Sequence, residues 1–220
     1  MLARIGFLAI LASLAVQKVE AVPGFVAASG GRIVEGAGQP LLLRCVNAGF
    51  WLLWESYAIR LHGVESESRM KKAILNSVGQ DEAFRFFRAW RENYFNRDDI
   101  LRMKALGMNH VRLPFNARIL YDEAHFDMAP GEGWALLDQA LAWCEEAGLY
   151  AILDMHSAPG GQNAGGISDN DLKAGLWTGP DQEENRKKTI DLWVKIAARY
   201  KDRKIVAALD LLNEPVLENG

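Results

Sequence analysis

Apolar residues in this chain collect into short unbroken runs, separated by stretches in which they recur every three or four positions. Four runs stand out, over residues 41–46, 109–113, 149–155 and 205–212. Unbroken runs of this length are the pattern of parallel strands covered on both faces, whereas half-exposed strands alternate. Helical periodicity fills the spaces between them. Asn96 is placed to cap a helix over residues 97–106 that Gly107 stops, and a second helix over residues 134–147 stops at Gly148. A third covers residues 182–200, with Trp193, Ile196, Ala197 and Tyr200 on one side and charges on the other. Gly107 and Gly148 lie just before strands, as in tight helix-to-strand connections. The resulting βαβαβαβ order implies the α/β class, with a parallel sheet and right-handed crossovers.

Ahead of the first long run, residues 24–29 and 32–34 read as short strands around Gly30-Gly31, and residues 35–40 as a further turn. The segment over residues 51–95 is too long for a plain strand-to-helix loop and holds helical patterns of its own, near residues 66–78 and 81–95. It is an insertion at the C-terminal end of the first strand. In a barrel, active sites are built at that end. No repeat beyond the βα unit and no Pro- or Ser-rich linker divides the chain further.

Composition narrows the class. With 220 residues, 50% hydrophobic and 24% charged, the chain fits one globular domain with a sizeable core, which excludes disordered and fibrous classes. The net charge of −3 carries no basic run, so nucleic acid is not an expected partner. Arg4 precedes an apolar stretch over residues 5–16, and the small-residue site Val19-Glu20-Ala21 follows. That is the anatomy of a secretory signal peptide; a buried first helix is the alternative. At about a dozen residues the stretch falls short of the roughly 20 that span a bilayer, and no later segment suits a membrane anchor. The expectation is an exported protein, extracellular or periplasmic, whose mature domain is residues 22–220. Its two cysteines, Cys45 and Cys144, cannot form a disulfide framework. His62, His110, His125 and His156 are scattered without zinc spacing. Both cysteines are expected to be buried as small hydrophobes, and neither a metal nor an organic cofactor is expected.

The strongest chemical signal is Asp210-Leu211-Leu212-Asn213-Glu214-Pro215, an apolar run ending in an amide, a carboxylate and a strand-stopping proline. A carboxyl group at the tip of a barrel strand points into the pocket, where burial would raise its pKa enough to hold a proton near neutrality. Glycosidic cleavage requires such a donor, a second carboxylate, and hydrogen bonds to the sugar's 2-hydroxyl. Glu214 suits the first role and Asn213 the last. On the tripeptide alone, an ordinary solvated turn is an equal reading; its position at the end of the fourth strand favours chemistry.

In this context the chain resembles family 5 of the glycoside hydrolases, the cellulase and glucanase family, whose acid/base glutamate lies in an Asn-Glu-Pro motif on barrel strand four. The resemblance implies a (β/α)8 barrel, of which this chain holds an N-terminal hairpin and the first four βα units. It implies that Arg112, in Asn109-His110-Val111-Arg112-Leu113-Pro114, hydrogen-bonds and orients the nucleophile carboxylate. His156, in Leu153-Asp154-Met155-His156-Ser157, matches the family's active-site histidine. The stretch Arg44-Cys45-Val46-Asn47-Ala48-Gly49-Phe50-Trp51-Leu52-Leu53-Trp54-Glu55 is similar to the opening signature of the exo-β-1,3-glucanase branch. Glu55 would then hold the terminal glucose, and Asn163, after the Pro159-Gly160-Gly161 turn, would contact sugar. Cys45 and Phe50 stand where that signature has glycines, and Ser56-Tyr57 replaces Pro-Trp. Trp51, Trp54 and Tyr57 read equally as a packed aromatic cluster or as sugar-stacking rings. The Gly-rich loop after Pro159 lacks the Lys-Ser/Thr of a phosphate-binding loop.

The implied activity is a retaining β-glucosidase or glucanase acting on a β-linked glucan or glucoside. The family's nucleophile, a glutamate on strand seven, is absent from these residues. A complete barrel takes about 250 residues, whereas four strands and an insertion occupy nearly all of this chain, so the remaining units are expected in a longer parent. A non-catalytic carbohydrate-binding half barrel, keeping Glu55, His156 and Asn163 as sugar contacts, is the main alternative. A barrel hydrolase acting on a non-sugar substrate is a third reading. The signal-like segment generates a direct test: N-terminal sequencing of exported protein should begin at or near Val22, and cytoplasmic protein that retains Met1 would contradict export.

Overall fold

A computed structural model describes residues 22–61, 63–122, 127–170 and 172–216. The signal-like segment, His62 and His125 lie outside the described residues. The first described elements are a hairpin, β1 (Ala27–Ser29) and β2 (Arg32–Val34), paired antiparallel. Gly30 and Gly31 turn it at φ +56° and +74°, a backbone region open to glycine without strain.

The main sheet has four parallel strands in sequence order: β3 (Cys45–Asn47), β4 (His110–Asn116), β5 (Tyr150–Ser157) and β6 (Val206–Asp210). Between β3 and β4 lie α1 (Glu67–Val78), α2 (Gln80–Asn93) and α3 (Arg97–Ala105). Then α4 (Glu132–Ala147) joins β4 to β5, and α5 (Gln182–Tyr200) joins β5 to β6. Asn96 starts α3 with a reciprocal capping box to Asp99, which satisfies orphan amides at both positions. Gly148 closes α4 in the left-handed region.

Strands that follow one another in sequence and in space, with crossovers of one hand, place their connecting helices on one face. Burial along the strands records this. Val111, Leu113 and Phe115 on β4, with Ala151, Leu153 and Met155 on β5, are fully buried and form one core with Leu137, Leu141 and Cys144 of α4 and Ile196 of α5. The opposite face carries Asn47, Arg112 and Asp210, and on it Arg112, Ile152 and Ala208 keep some exposure. Among the described residues, helices cover the apolar runs from one side, and the other face is polar toward the strand tips.

At the strand beginnings that second face is closed by the hairpin segment, where Tyr150 Oη donates to the Gly24 carbonyl at 3.3 Å. Cys45 departs from expectation. It is exposed, while Cys144 is buried, and both are free. The physical reason is position: β3 is an edge strand, and no described helix covers Val46 or Leu42 beside it.

Pro114 sits inside β4, a place that normally disfavours proline. Its neighbours two positions either way bond toward β3: the Arg112 carbonyl accepts from Ala48 N, and Asn116 N donates to the Leu52 carbonyl. Between those bonds the chain at residues 49–51 loops away from the ladder and returns at a single bridge, Leu52 with Phe115. Pro114 faces that gap, so its missing N–H leaves no ladder bond unmade.

Candidate active site

The polar groups of the open face meet at the C-terminal ends of the strands, around Arg112. Its Nη2 lies 2.8 Å from Asp210 Oδ2 and 2.9 Å from Asp154 Oδ2, and it donates to Asn213 Oδ1 at 3.0 Å. Nε also reaches Asp210 at 3.1 Å, and Nη1 reaches Asn47 Oδ1 at 3.3 Å. A guanidinium offers donors in a rigid planar fork and never deprotonates. One side chain can therefore hold acceptors from β3, β5, β6 and the turn after β6 in fixed relation.

Asp154 carries the network onward. Its Oδ2 lies 2.6 Å from His156 Nδ1, and its Oδ1 is buried without a partner among the described residues. On the other side of the ring, His156 Nε2 lies 3.5 Å from Glu55 Oε1, and Tyr57 Oη donates to Glu55 Oε2 at 3.0 Å. Burial alone would lower the imidazole's pKa, but the Asp154 and Glu55 carboxylates flanking it outweigh burial and push it up to about 9. His156 is thus an imidazolium at neutral pH, with both ring nitrogens donating. Burial raises Glu55, yet the His156 and Tyr57 hydrogen bonds and the positive charges of His156 and Arg112 hold it below the ordinary glutamate value. It stays an acceptor for whatever donates to it.

Glu214 follows β6 at φ +45°. A bulky residue in the left-handed region is strained, and such strain persists only where surroundings over-determine it. The surroundings here are the loop after β5. Gln162 Nε2 donates to the Asn213 carbonyl at 2.7 Å, Asn163 Nδ2 donates to the Glu214 carbonyl at 2.9 Å, and Val216 N donates to the Gln162 carbonyl at 3.0 Å. The clamp fixes the peptide units on both sides of Glu214. The Glu214 side chain itself is exposed, so the burial anticipated from its strand-tip position is absent. It lies on the edge strand's side of the site, with no described element packed over it.

Asn163 also differs from its anticipated part. It is buried, and its Oδ1 accepts from Gly165 N at 2.8 Å and Ser168 Oγ at 2.7 Å. With both ends of the amide held by the chain, it acts as a pin for Glu214 and is not presented for ligand. Asn213 is placed differently. Arg112 has only donors, so Oδ1 must face it. Nδ2 then points away, buried and without a partner among the described residues. An orphaned buried donor costs about 1–3 kcal/mol, which marks Nδ2 as a group awaiting an acceptor.

The insertion supplies the wall beside Glu55. Trp51 and Trp54 are packed inside: Trp51 Nε1 donates to the Arg91 carbonyl at 2.9 Å, and Trp54 packs against Phe50, Phe87 and Trp90. The packed-cluster reading holds for these two, whereas Tyr57 is 69% exposed. Phe50, standing where a glycine was anticipated, keeps the glycine-like backbone at φ +64°. Its ring meets Trp54 at 5.5 Å and Trp90 at 5.2 Å, contacts that offset the local strain.

The structure thus brings Arg112, His156, Glu55 and Asn213 into one network, with Glu214 at its rim and Asn163 behind it. Tyr57, named from sequence only as an aromatic ring, joins the constellation through its hydroxyl, and Asp154, Asp210 and Gln162 belong to it although the sequence reading assigned them no role. Asp154 and Asp210 had a readable signal, since each is a lone carboxylate within an apolar strand and they pair directly across β5 and β6. Among the described residues, no group of three or more His, Cys, Asp or Glu is arranged to hold a metal ion, and no helix is long and apolar enough to cross a membrane.

Residues 71–220 match the family model described as cellulase (glycosyl hydrolase family 5). A β-xylosidase of Phanerodontia chrysosporium is 34% identical over 87% of this chain and 39% of its own length. A probable glucan 1,3-β-glucosidase A of Aspergillus fumigatus is 31% identical over 94% of this chain and 49% of its own. The crystal structure of rutinosidase from Aspergillus niger superimposes with a TM-score of 0.65 at 19% identity, over 80% of this chain and 49% of that one. The chain spans about half the length, or less, of these relatives.

The raised pKa of His156 sets a pH dependence. The folded value of about 9 lies above the ordinary 6.5, so the stabilisation is complete below about 6.5 and lost as pH rises through about 9. The urea midpoint should fall across that window. By NMR the His156 ring should titrate near 9, and Asp154→Asn should move that value down. A wild-type His156 that titrates at or below 6.5 would contradict the network.

Proposed function

The chain belongs to glycosyl hydrolase family 5, and on that premise we propose that it forms the first half of a (β/α)8 barrel whose whole protein hydrolyses β-glycosidic bonds with retention. Glu214 is the proton donor. The reading rests above all on the strained, doubly clamped backbone of Glu214 at the tip of β6. A chain holds a glutamate in that conformation at a cost, and a fixed backbone there narrows the directions from which its carboxyl can pass a proton to a leaving oxygen. The consecutive parallel strands, with helices on one face and charged groups on the other, suit half of a closed barrel.

The remaining groups take roles that their geometry supports. Asn213 Nδ2, oriented by Arg112, donates to the sugar's 2-hydroxyl, a contact that strengthens in the transition state. Glu55, kept ionised beside the His156 imidazolium, accepts hydroxyls of the terminal sugar. Asp154 and Asp210 hold Arg112 in place. Asn163 keeps Glu214 directed and does not touch sugar. The second carboxylate, the nucleophile, comes from the part of the protein beyond these residues. A β-linked glucan or glucoside is the proposed substrate, supported by the glucan 1,3-β-glucosidase relative, and the segment over residues 1–21 directs export.

A retaining mechanism divides the labour of Glu214 between two steps, and this gives the test. In the whole protein, Glu214→Gln removes the proton while keeping the shape, so hydrolysis of a natural β-glucan should fall by roughly 10²–10⁴. An activated aryl glucoside, whose leaving group needs no proton, should still glycosylate the enzyme. The trapped intermediate then lacks a base to activate water, and added azide should restore turnover and yield a β-glycosyl azide. Equal loss on both substrates without azide rescue would show that Glu214 is not the acid/base.

A further inference from the structure

A second cleft lies on the same end of the sheet, on the far side of the loop that clamps Glu214. It has a volume of about 380 Å3 and is lined by the start of α1, by Arg118 after β4, by the loop after β5 and by the start of α5. Its floor is built to close tolerance. Gly160, at φ +77°, lies so near the Asn185 amide and the Gly175 backbone that a Cβ would collide with both. Asn185 Nδ2 donates to the Gly175 carbonyl at 3.0 Å, which ties α5 to the loop.

The lining chemistry is mixed but not balanced. Arg69, Lys72, Arg118 and Lys173 face Asp169 and Asp181, four cations against two carboxylates. Asp169 is already held, accepting from Ser68 N at 2.7 Å and Ser68 Oγ at 2.8 Å. Lys72 and Lys173 are exposed and make no ion pair among the described residues. No aromatic ring lines the cleft, so a nucleobase has nothing to stack on, and carboxylates in the wall disfavour a multiply charged phosphate. Hydroxyls, amides and carboxylates interspersed among lysines suit a polyhydroxylated ligand that carries one negative group.

We infer that this cleft binds an acidic saccharide, its carboxylate or sulfate held by Lys72 and Lys173 and its hydroxyls by Asp181 and the amide oxygen of Asn185. The site is distinct from the Glu214 centre but shares its loop. Asn170 Nδ2 donates to the Asn163 carbonyl at 2.7 Å and its Oδ1 accepts from Lys173 N at 3.1 Å, so a ligand held by Lys173 is joined through Asn170 to the residue that pins Glu214. An acidic branch or terminus on a glycan would then be read beside the bond to be cleaved.

Isothermal titration of the full chain tests this at equilibrium, without turnover, so the outcome does not depend on whether Glu214 is the proton donor. The probes are a glucuronate-terminated β-linked disaccharide, its neutral counterpart cellobiose, and inorganic sulfate. The acidic disaccharide should bind more tightly than either of the others and weaken as ionic strength rises. The doubly substituted Lys72→Glu, Lys173→Glu chain, checked for folding by circular dichroism, should lose about tenfold or more of that affinity. No binding, affinity unchanged in the variant, or sulfate matching the disaccharide would each overturn the assignment.

Discussion

Arg112 carries its charge from β4 to acceptors on every other strand of the parallel sheet: Asn47 on β3, Asp154 on β5, Asp210 on β6 and Asn213 just past it. Removing one partner from such an assembly leaves the others with uncompensated charge, so its members stand or fall together. The chain of polar groups from Asp154 to Glu55 starts from this knot. Asp154 is aligned to face His156, His156 to face Glu55, and the Asn213 amide is turned so that its donor end is free.

The sheet makes that arrangement possible by separating two environments. On one face, fully buried valine, leucine, phenylalanine and methionine pack under α4 and α5. On the other, side chains at alternate positions rise toward the strand tips and become polar as they do. Period-two alternation of the strand delivers Arg112, Asp154 and Asp210 to the same surface, and β5–β6 register sets the two aspartates side by side. The loop after β5 then completes the site from outside the sheet, because Gln162 and Asn163 fix the two peptide units that aim Glu214.

Much of this was legible in the sequence. The apolar runs and helical spacing located the elements, the C-terminal glycines placed the helix stops, and α5 falls at residues 182–200 as the periodicity predicts. Arg112, His156 and Glu55 were recognisable through the family resemblance of the motifs around them, and Asn213 as an amide closing an apolar run. The misread features are those that depend on what lies beside a strand. Cys45 and Val46 read as interior because their run is apolar, but they lie on an edge. Burial of Glu214 was inferred from its strand-tip position, although burial also needs an element packed above. Asn163 looked like a ligand contact, since a loop asparagine gives no sign in sequence of whether its amide is already engaged. Phe50 shows the converse: a substitution for glycine leaves the left-handed backbone in place when an aromatic cluster holds it there.

One guanidinium organises the strand tips, and amide hydrogen exchange after Arg112→Met measures how far. The substitution keeps apolar volume while removing charge-assisted bonds that are generally worth about 1.5–3 kcal/mol each. Amides at the end of β5 and across Asp210 to Val216 should then exchange about tenfold faster or more, while those of α4, on the opposite face, keep their protection. Unchanged exchange at the strand tips, or loss spread evenly through the helices, would show that the tips are held by something other than Arg112.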